Sequence, residues 1–155
     1  MTLVQLQNRK DETMPGIDFK KRFAEMVKAG EKTQTIRKRR TPPIKEGDHL
    51  TLWTGMRTKN CQPLIDATCT KVAPIKIIPD RGEIWAWDEE SEWQDADGVY
   101  GNFFLLKPDD ADAFAKADGF DSLPEFFKFF ANYPTDVLHF ELVVIHWRPG
   151  WDFKC

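Results

Sequence analysis

Apolar positions along this chain fall into short runs whose period changes, and the changes mark the elements. Residues 1–16 have no period and end in Pro15-Gly16, which reads as a loose arm or one early edge strand. Asp18 stands where a helix N-cap would, and Phe19, Phe23, Met26 and Val27 recur at helical spacing up to Gly30, a left-handed stop. From Glu31 to Arg37 the period drops to two. Thr33, Thr35 and Arg37 alternate there with Lys32, Gln34 and Ile36, which predicts a strand. Lys38 to Pro43 interrupts it as a basic loop, Gly47-Asp48 is a turn, and His49 to Thr54 is a second strand. The polar connection Gly55 to Asn60 leads to Ile65–Ile78, one long strand or two short ones around Pro74.

Glu83 to Phe104 reads as a strand plus an irregular elaboration, with Trp85, Trp87 and Trp93 among acidic residues and a turn at Asp97-Gly98. A helix follows from Pro108 to Ala117 and stops at Asp118-Gly119. Ser122 to Glu125 has the form of a capping box with Pro124 in the first turn, and it opens a helix through Ala131. Phe126, Phe127, Phe129 and Phe130 cover nearly every side of that helix, so it belongs in a core. Val137 to Trp147 predicts a long central strand. This order is α+β rather than the alternating order of a doubly wound sheet. Short strands between turns favour a small, mostly antiparallel β-barrel with about three flanking helices. The division expected is an arm at 1–16, one domain at 17–147 with its Trp-rich elaboration at 83–104, and a tail at 148–155.

Charge sharpens the picture. Lys20 to Lys76 carries 14 Lys or Arg against 5 Asp or Glu, whereas Asp80 to Glu125 carries 14 acidic residues against 3 basic ones. A split of that size, hidden in a net charge of −3, points to a polyanion-facing surface. No apolar run approaches the ~20 residues of a membrane span, and the first residues lack a signal-peptide core. Cys61, Cys69 and Cys155 have no CxxC spacing, and His49, His139 and His146 lie far apart, so no metal or cofactor is expected. An odd, sparse cysteine set fits a reducing, cytoplasmic setting.

Candidate chemistry concentrates between Gly30 and Arg40. Lys32 directly follows the helix stop, and Thr35 and Arg37 share one strand face, so a cation, a hydroxyl and a guanidinium converge. Lys38, Arg39 and Arg40, with Arg57 and Lys59 beyond, supply charge for a nucleic-acid backbone, and Trp53 could wall the cleft.

The Gly30-x-Lys32-x-x-x-x-Arg37 stretch resembles the signature of the ASCH domain family, within the PUA-like barrel superfamily. Pro43 to Asp48 resembles its second block, and Asp118-Gly119-Phe120 its acidic-Gly-aromatic block. The resemblance implies a five- or six-stranded barrel with a cleft, and RNA or a modified nucleoside as ligand. Some small members remove the acetyl group of 4-acetylcytidine with a Lys, a Thr and a Glu. By position these fall on Lys32, on Thr35 and at or near Asp118, a shorter acid. Another branch is implied to have ribonuclease activity, and Leu52 to Lys59 resembles the longer members rather than the small amidohydrolases. In chemical terms Thr35 needs an adjacent base, which Lys32 supplies if its pKa is depressed. Asp118 would orient the lysine or hold a proton during acyl transfer, and Arg37 or a backbone amide would stabilise an oxyanion. The expectation is therefore an RNA- or nucleoside-binding domain, with hydrolysis as the alternative. A protein-interaction module using the acidic 83–97 segment is a third reading.

Overall fold

The computed structural model describes residues 14–88 and 102–151. Its strands are β1 (Gly16–Phe19), β2 (Gln34–Lys38), β3 (His49–Thr54), β4 (Gln62–Ile78), β5 (Glu83–Asp88), β6 (Asn102–Leu105) and β7 (Leu142–Pro149). Its α-helices are α1 (Lys21–Lys28), α2 (Pro108–Ala117) and α3 (Leu123–Phe130), joined by a 3-10 turn at Pro79–Arg81 and a π turn at Val137–Glu141. The α+β class expected from the sequence holds. The seven strands run in the order β1-β3-β4-β5-β6, with β7 paired to β4 and β2 to β7. Among the described residues the two ends of this path do not pair, so the sheet is open where a barrel was expected.

Several element boundaries differ from the sequence reading, and β2 begins at Gln34 rather than Glu31. Asp18 caps no helix. Ile17 and Phe19 point into the core from β1, which pairs in parallel with β3, and α1 begins two residues later behind Lys20. Asp18 Oδ1 accepts instead from the backbone N–H of Met56, which ties β1 to the turn after β3. Gln62 to Ile78 is one strand of 17 residues. Pro74 lies between the stretch paired with β3 (62–68) and the stretch paired with β5 (75–78). Val137 to Glu141 is a π turn, so β7 begins only at Leu142 and Phe140 is left exposed. Residues 1–13, Trp93, Asp97-Gly98 and Cys155 lie outside the described residues.

The chain divides into two compact units. One holds residues 14–35, 40–72 and 145–151, the other 36–39, 73–88 and 102–144. In the first, Ile17, Phe19, Val27, Leu50 and Leu52 are buried, with Phe19 edge-on to Trp147 at 5.6 Å. Gly55 turns the chain out of β3 at φ +67, where a Cβ would stand 2.8 Å from the Asn60 carbonyl oxygen, so only glycine fits. In the second, Phe120, Phe126 and Phe130 form an aromatic core, with Phe126 ringed by Phe120 at 5.4 Å and Phe130 at 4.9 Å. The capping signal holds: the Ser122 hydroxyl accepts from the Glu125 N–H.

Cys69, buried in the first unit, yields a pH prediction. Burial pushes its thiol up to about 11, helped by the carboxylates of Asp48 and Glu46 and partly offset by hydrogen bonding to the Lys71 backbone. The unfolded chain loses this proton near pH 9, so the native state holds it more tightly. The stabilisation is complete below pH 9 and is lost as pH rises through 11. Urea titrations at pH 8, 9, 10 and 11 should show wild type losing roughly 2 kcal/mol more than Cys69→Ala by pH 11, at about 1.36 kcal/mol per unit. Parallel losses in the two proteins would refute the assignment.

Candidate functional site

Local backbone chemistry places Lys32. Helix α1 ends at the C-cap Ala29, and Gly30 takes φ +77. The Gly30 N–H donates to Val27 O and the Glu31 N–H to Met26 O, which is a complete Schellman motif. Met26 O also accepts from the Lys32 N–H at 3.1 Å, which turns the chain back beside the helix. The Lys32 ammonium then lies 4.9 Å from the Phe23 ring centroid and 5.9 Å from that of Phe19. Lys32 is only 2% exposed, so it is no solvated strand-end cation. Burying an ammonium is costly unless it is compensated, and cation–π contact supplies only part of that.

Next to it on the chain, Gln34 and Thr35 are each 4% exposed. Three of the four polar positions from Lys32 to Thr35 are thus withdrawn from water, on a segment whose pattern marked only a strand. Gln34 Nε2 is buried and has no hydrogen-bond partner. An orphaned amide donor of this kind costs about 1–3 kcal/mol. Replacement by an apolar side chain of similar shape, Gln34→Met, is expected to raise stability by about 1 kcal/mol in chemical denaturation. A loss of stability on that substitution would mean the amide is already paired.

The remaining predicted residues sort by unit. In the first, Arg40 is exposed and its Nη1 donates to Gly16 O at 3.0 Å. Arg57 and Lys59 are exposed on the 55–60 turn. That turn is held by Thr58, whose hydroxyl donates to Gly55 O, and Arg57 sits at φ 66, a conformation a side chain other than glycine rarely takes. Trp53 does not join Lys32. Its Cδ1 lies near Gly16, beside Thr51, on the face of β1 and β3 opposite to Phe19, over which Lys32 lies.

In the second unit, Arg37 is half-buried, and Lys38 and Arg39 are exposed. Lys38 Nζ lies 3.7 Å from Glu141 Oε1, an exposed pair worth little energy. Asp118 is the C-cap of α2 and is 3% exposed. Gly119 at φ +98 donates to Lys116 O and Phe120 to Ala115 O, a second Schellman motif. That motif accounts for Gly119 and Phe120 but gives no reason to bury a carboxylate at 118. The block at Pro43 to Asp48 is likewise a turn, closed by Asp48 Oδ2 accepting from the Lys45 N–H at 2.8 Å.

Sequence reasoning missed Gln34, which its strand pattern disguised, and treated Phe19 and Phe23 as core alone. His146 is half-buried, and burial followed by the nearby Lys71 charge lowers its pKa. Among the described residues no group of three His, Cys, Asp or Glu is placed to hold a metal. None of their helices is long and apolar enough to cross a membrane.

No protein-family profile and no curated protein matches the chain. Among solved structures, the crystal structure of hypothetical protein PH0355 aligns over 88% of this chain and 99% of its own, with a TM-score of 0.50 and 12% identity. At that identity the likeness is one of fold alone.

Proposed function

We propose that this protein binds RNA or a modified nucleoside at the Gly30–Arg40 segment, as a PUA-like domain of the ASCH type working in the cytoplasm. The observation that carries the reading is the burial of Lys32, Gln34 and Thr35 together, with the Lys32 ammonium over two phenylalanine rings and the Gln34 amide unpaired. Buried polar groups gathered on one short segment are characteristic of sites that recognise a polar ligand. Arg40, Arg57 and Lys59 of the same unit are exposed and supply phosphate contacts; Trp53, on the other face, takes no part.

Burial of Lys32 and Thr35 also favours the hydrolytic alternative over a simple phosphate clamp. An ammonium only 2% exposed meets a group that enters the protein, such as a base or its acetyl substituent, rather than a backbone passing outside. In that reading Lys32 is the base and Thr35 the nucleophile. Incubation with 4-acetylcytidine and, separately, with mixed RNA, followed by liquid chromatography, tests both readings. Deacetylation or cleavage lost in Lys32→Ala establishes an enzyme. Salt-sensitive RNA retention without product leaves a binding domain. A protein that retains neither RNA nor nucleoside and forms no product would overturn the proposal.

A further inference from the structure

The second unit carries a polar and aromatic face that the Gly30–Arg40 reading does not use. Across β4, β5 and β6 the register sets Lys76 beside Trp85 and Trp85 beside Leu105, with Glu83 and Trp87 flanking on β5. Side chains alternate along a strand, so these residues share one face, while Ile75, Ile77 and Ile84 fill the core from the other. The outer face is unlike an ordinary solvated one in three respects.

Among the described residues its cation has no anion. Lys76 Nζ lies 4.5 Å from the Phe103 ring centroid and 5.7 Å from that of Phe140, and among the described residues it has no ion pair or hydrogen bond. Its polar atoms are unpaired, since Trp85 Nε1 and Glu83 Oε1 are both buried without a hydrogen-bond partner. Its apolar groups stay in water: Phe140 is 67% exposed and Leu105 45%. Phe140 is presented by the π turn that replaces the predicted start of β7, so its exposure follows from the backbone.

From this combination we infer that the outer face of β4-β5-β6 is a nucleotide subsite, with Phe140 stacking a base and Lys76 taking its phosphate. A cation that meets only rings among the described residues suits an anion, and an exposed ring beside it suits a flat apolar partner. A nucleotide provides both within one residue. Glu83, on the same face, carries the same sign of charge as a phosphate, which leaves Lys76 as the phosphate contact.

The inference rests on the RNA reading for its biological ligand, and a free nucleotide or a nucleotide within RNA would satisfy the same chemistry. Fluorescence anisotropy with a labelled single-stranded 12-nucleotide RNA, and competition by the four 5′-mononucleotides, separates these sources. Measurements would use wild type, Phe140→Ala, Lys76→Met and Arg57→Ala across a salt series. Phe140→Ala, at an exposed position, is expected to weaken RNA binding about tenfold. Lys76→Met is expected to flatten the slope of log affinity against log salt by about 0.7, one phosphate contact on a single strand. Wild-type affinity and slope in both variants, with Arg57→Ala weakened, would overturn this subsite while leaving the first site standing. Failure of wild type to bind either RNA or mononucleotide would overturn both readings. If Phe140→Ala abolishes a concentration-dependent self-association in sedimentation and leaves RNA binding unchanged, the face is a protein contact and the inference is wrong.

Discussion

Phe126→Ala is expected to destabilise the protein by about 3–5 kcal/mol, the range for deleting a fully buried aromatic ring. Phe126 has no exposed surface, and its ring meets Phe114 at 6.1 Å, Phe120 at 5.4 Å, Phe127 at 5.5 Å and Phe130 at 4.9 Å. Each edge-to-face pair adds to area burial, so truncation removes apolar contact, several quadrupole interactions and the packing partners of two other buried rings. The surrounding rings are rigid and cannot collapse into the gap, which puts the cost toward the upper end of the range. Total stability of a domain this size is about 5–15 kcal/mol, so the variant should sit near its unfolding threshold at 37 °C. Equilibrium urea denaturation at 25 °C measures the change. A loss below about 1 kcal/mol would show that the Phe cluster is loosely packed. Phe127→Ala, at a half-buried position on the same helix, is the internal comparison and should cost less.

The helix that carries Phe126 was legible because local and tertiary signals agree: a capping serine, proline in the first turn and an apolar density only a core can absorb. The same agreement made Gly30 and Gly119 readable as helix stops, and the Schellman bonds bear it out. Where the signals conflict, the sequence reads wrongly. Asp18 before an apolar run has the look of an N-cap, and nothing within ten residues reveals that Ile17 and Phe19 pair with β3. Leu138, Leu142 and Val144 keep a strand's parity and are buried, yet Phe140 on that parity is exposed because a π turn intervenes. An open sheet instead of a barrel is another such case, since closure depends on which edges meet rather than on any strand's own pattern.

The site was legible in position but not in kind. Of the residues that carry the ASCH resemblance, Gly30, Gly47, Gly119 and Phe120 have complete explanations in turn chemistry. Pattern alone cannot separate them from Lys32, Thr35 and Asp118, polar groups that the fold buries. Burial is a property of the whole fold. A lysine after a helix stop reads as solvated until the fold is known, because the turn that returns it over Phe23 depends on a carbonyl six residues earlier.

Lys32→Met therefore separates function from fold more sharply than any other change in this protein. Methionine keeps the length and apolar stem of lysine and can remain against Phe19 and Phe23, so the packing on that side survives while the charge is lost. A hydrogen bond from a charged donor contributes about 1.5–3 kcal/mol, so nucleoside or RNA affinity should fall roughly 10- to 150-fold. Any turnover should disappear. Thr35→Ala sets the contrast. In a binding domain it should weaken affinity only slightly, because Thr35 bears no charge to lose. In a hydrolase it should abolish product while substrate still binds. Calorimetric titration of nucleoside and RNA into the two variants, with circular dichroism to verify the fold, reads these outcomes directly. Full wild-type affinity in a folded Lys32→Met protein would remove the buried ammonium from ligand recognition. It would then leave the exposed cations at Arg40, Arg57 and Lys59 as the first unit's means of holding RNA.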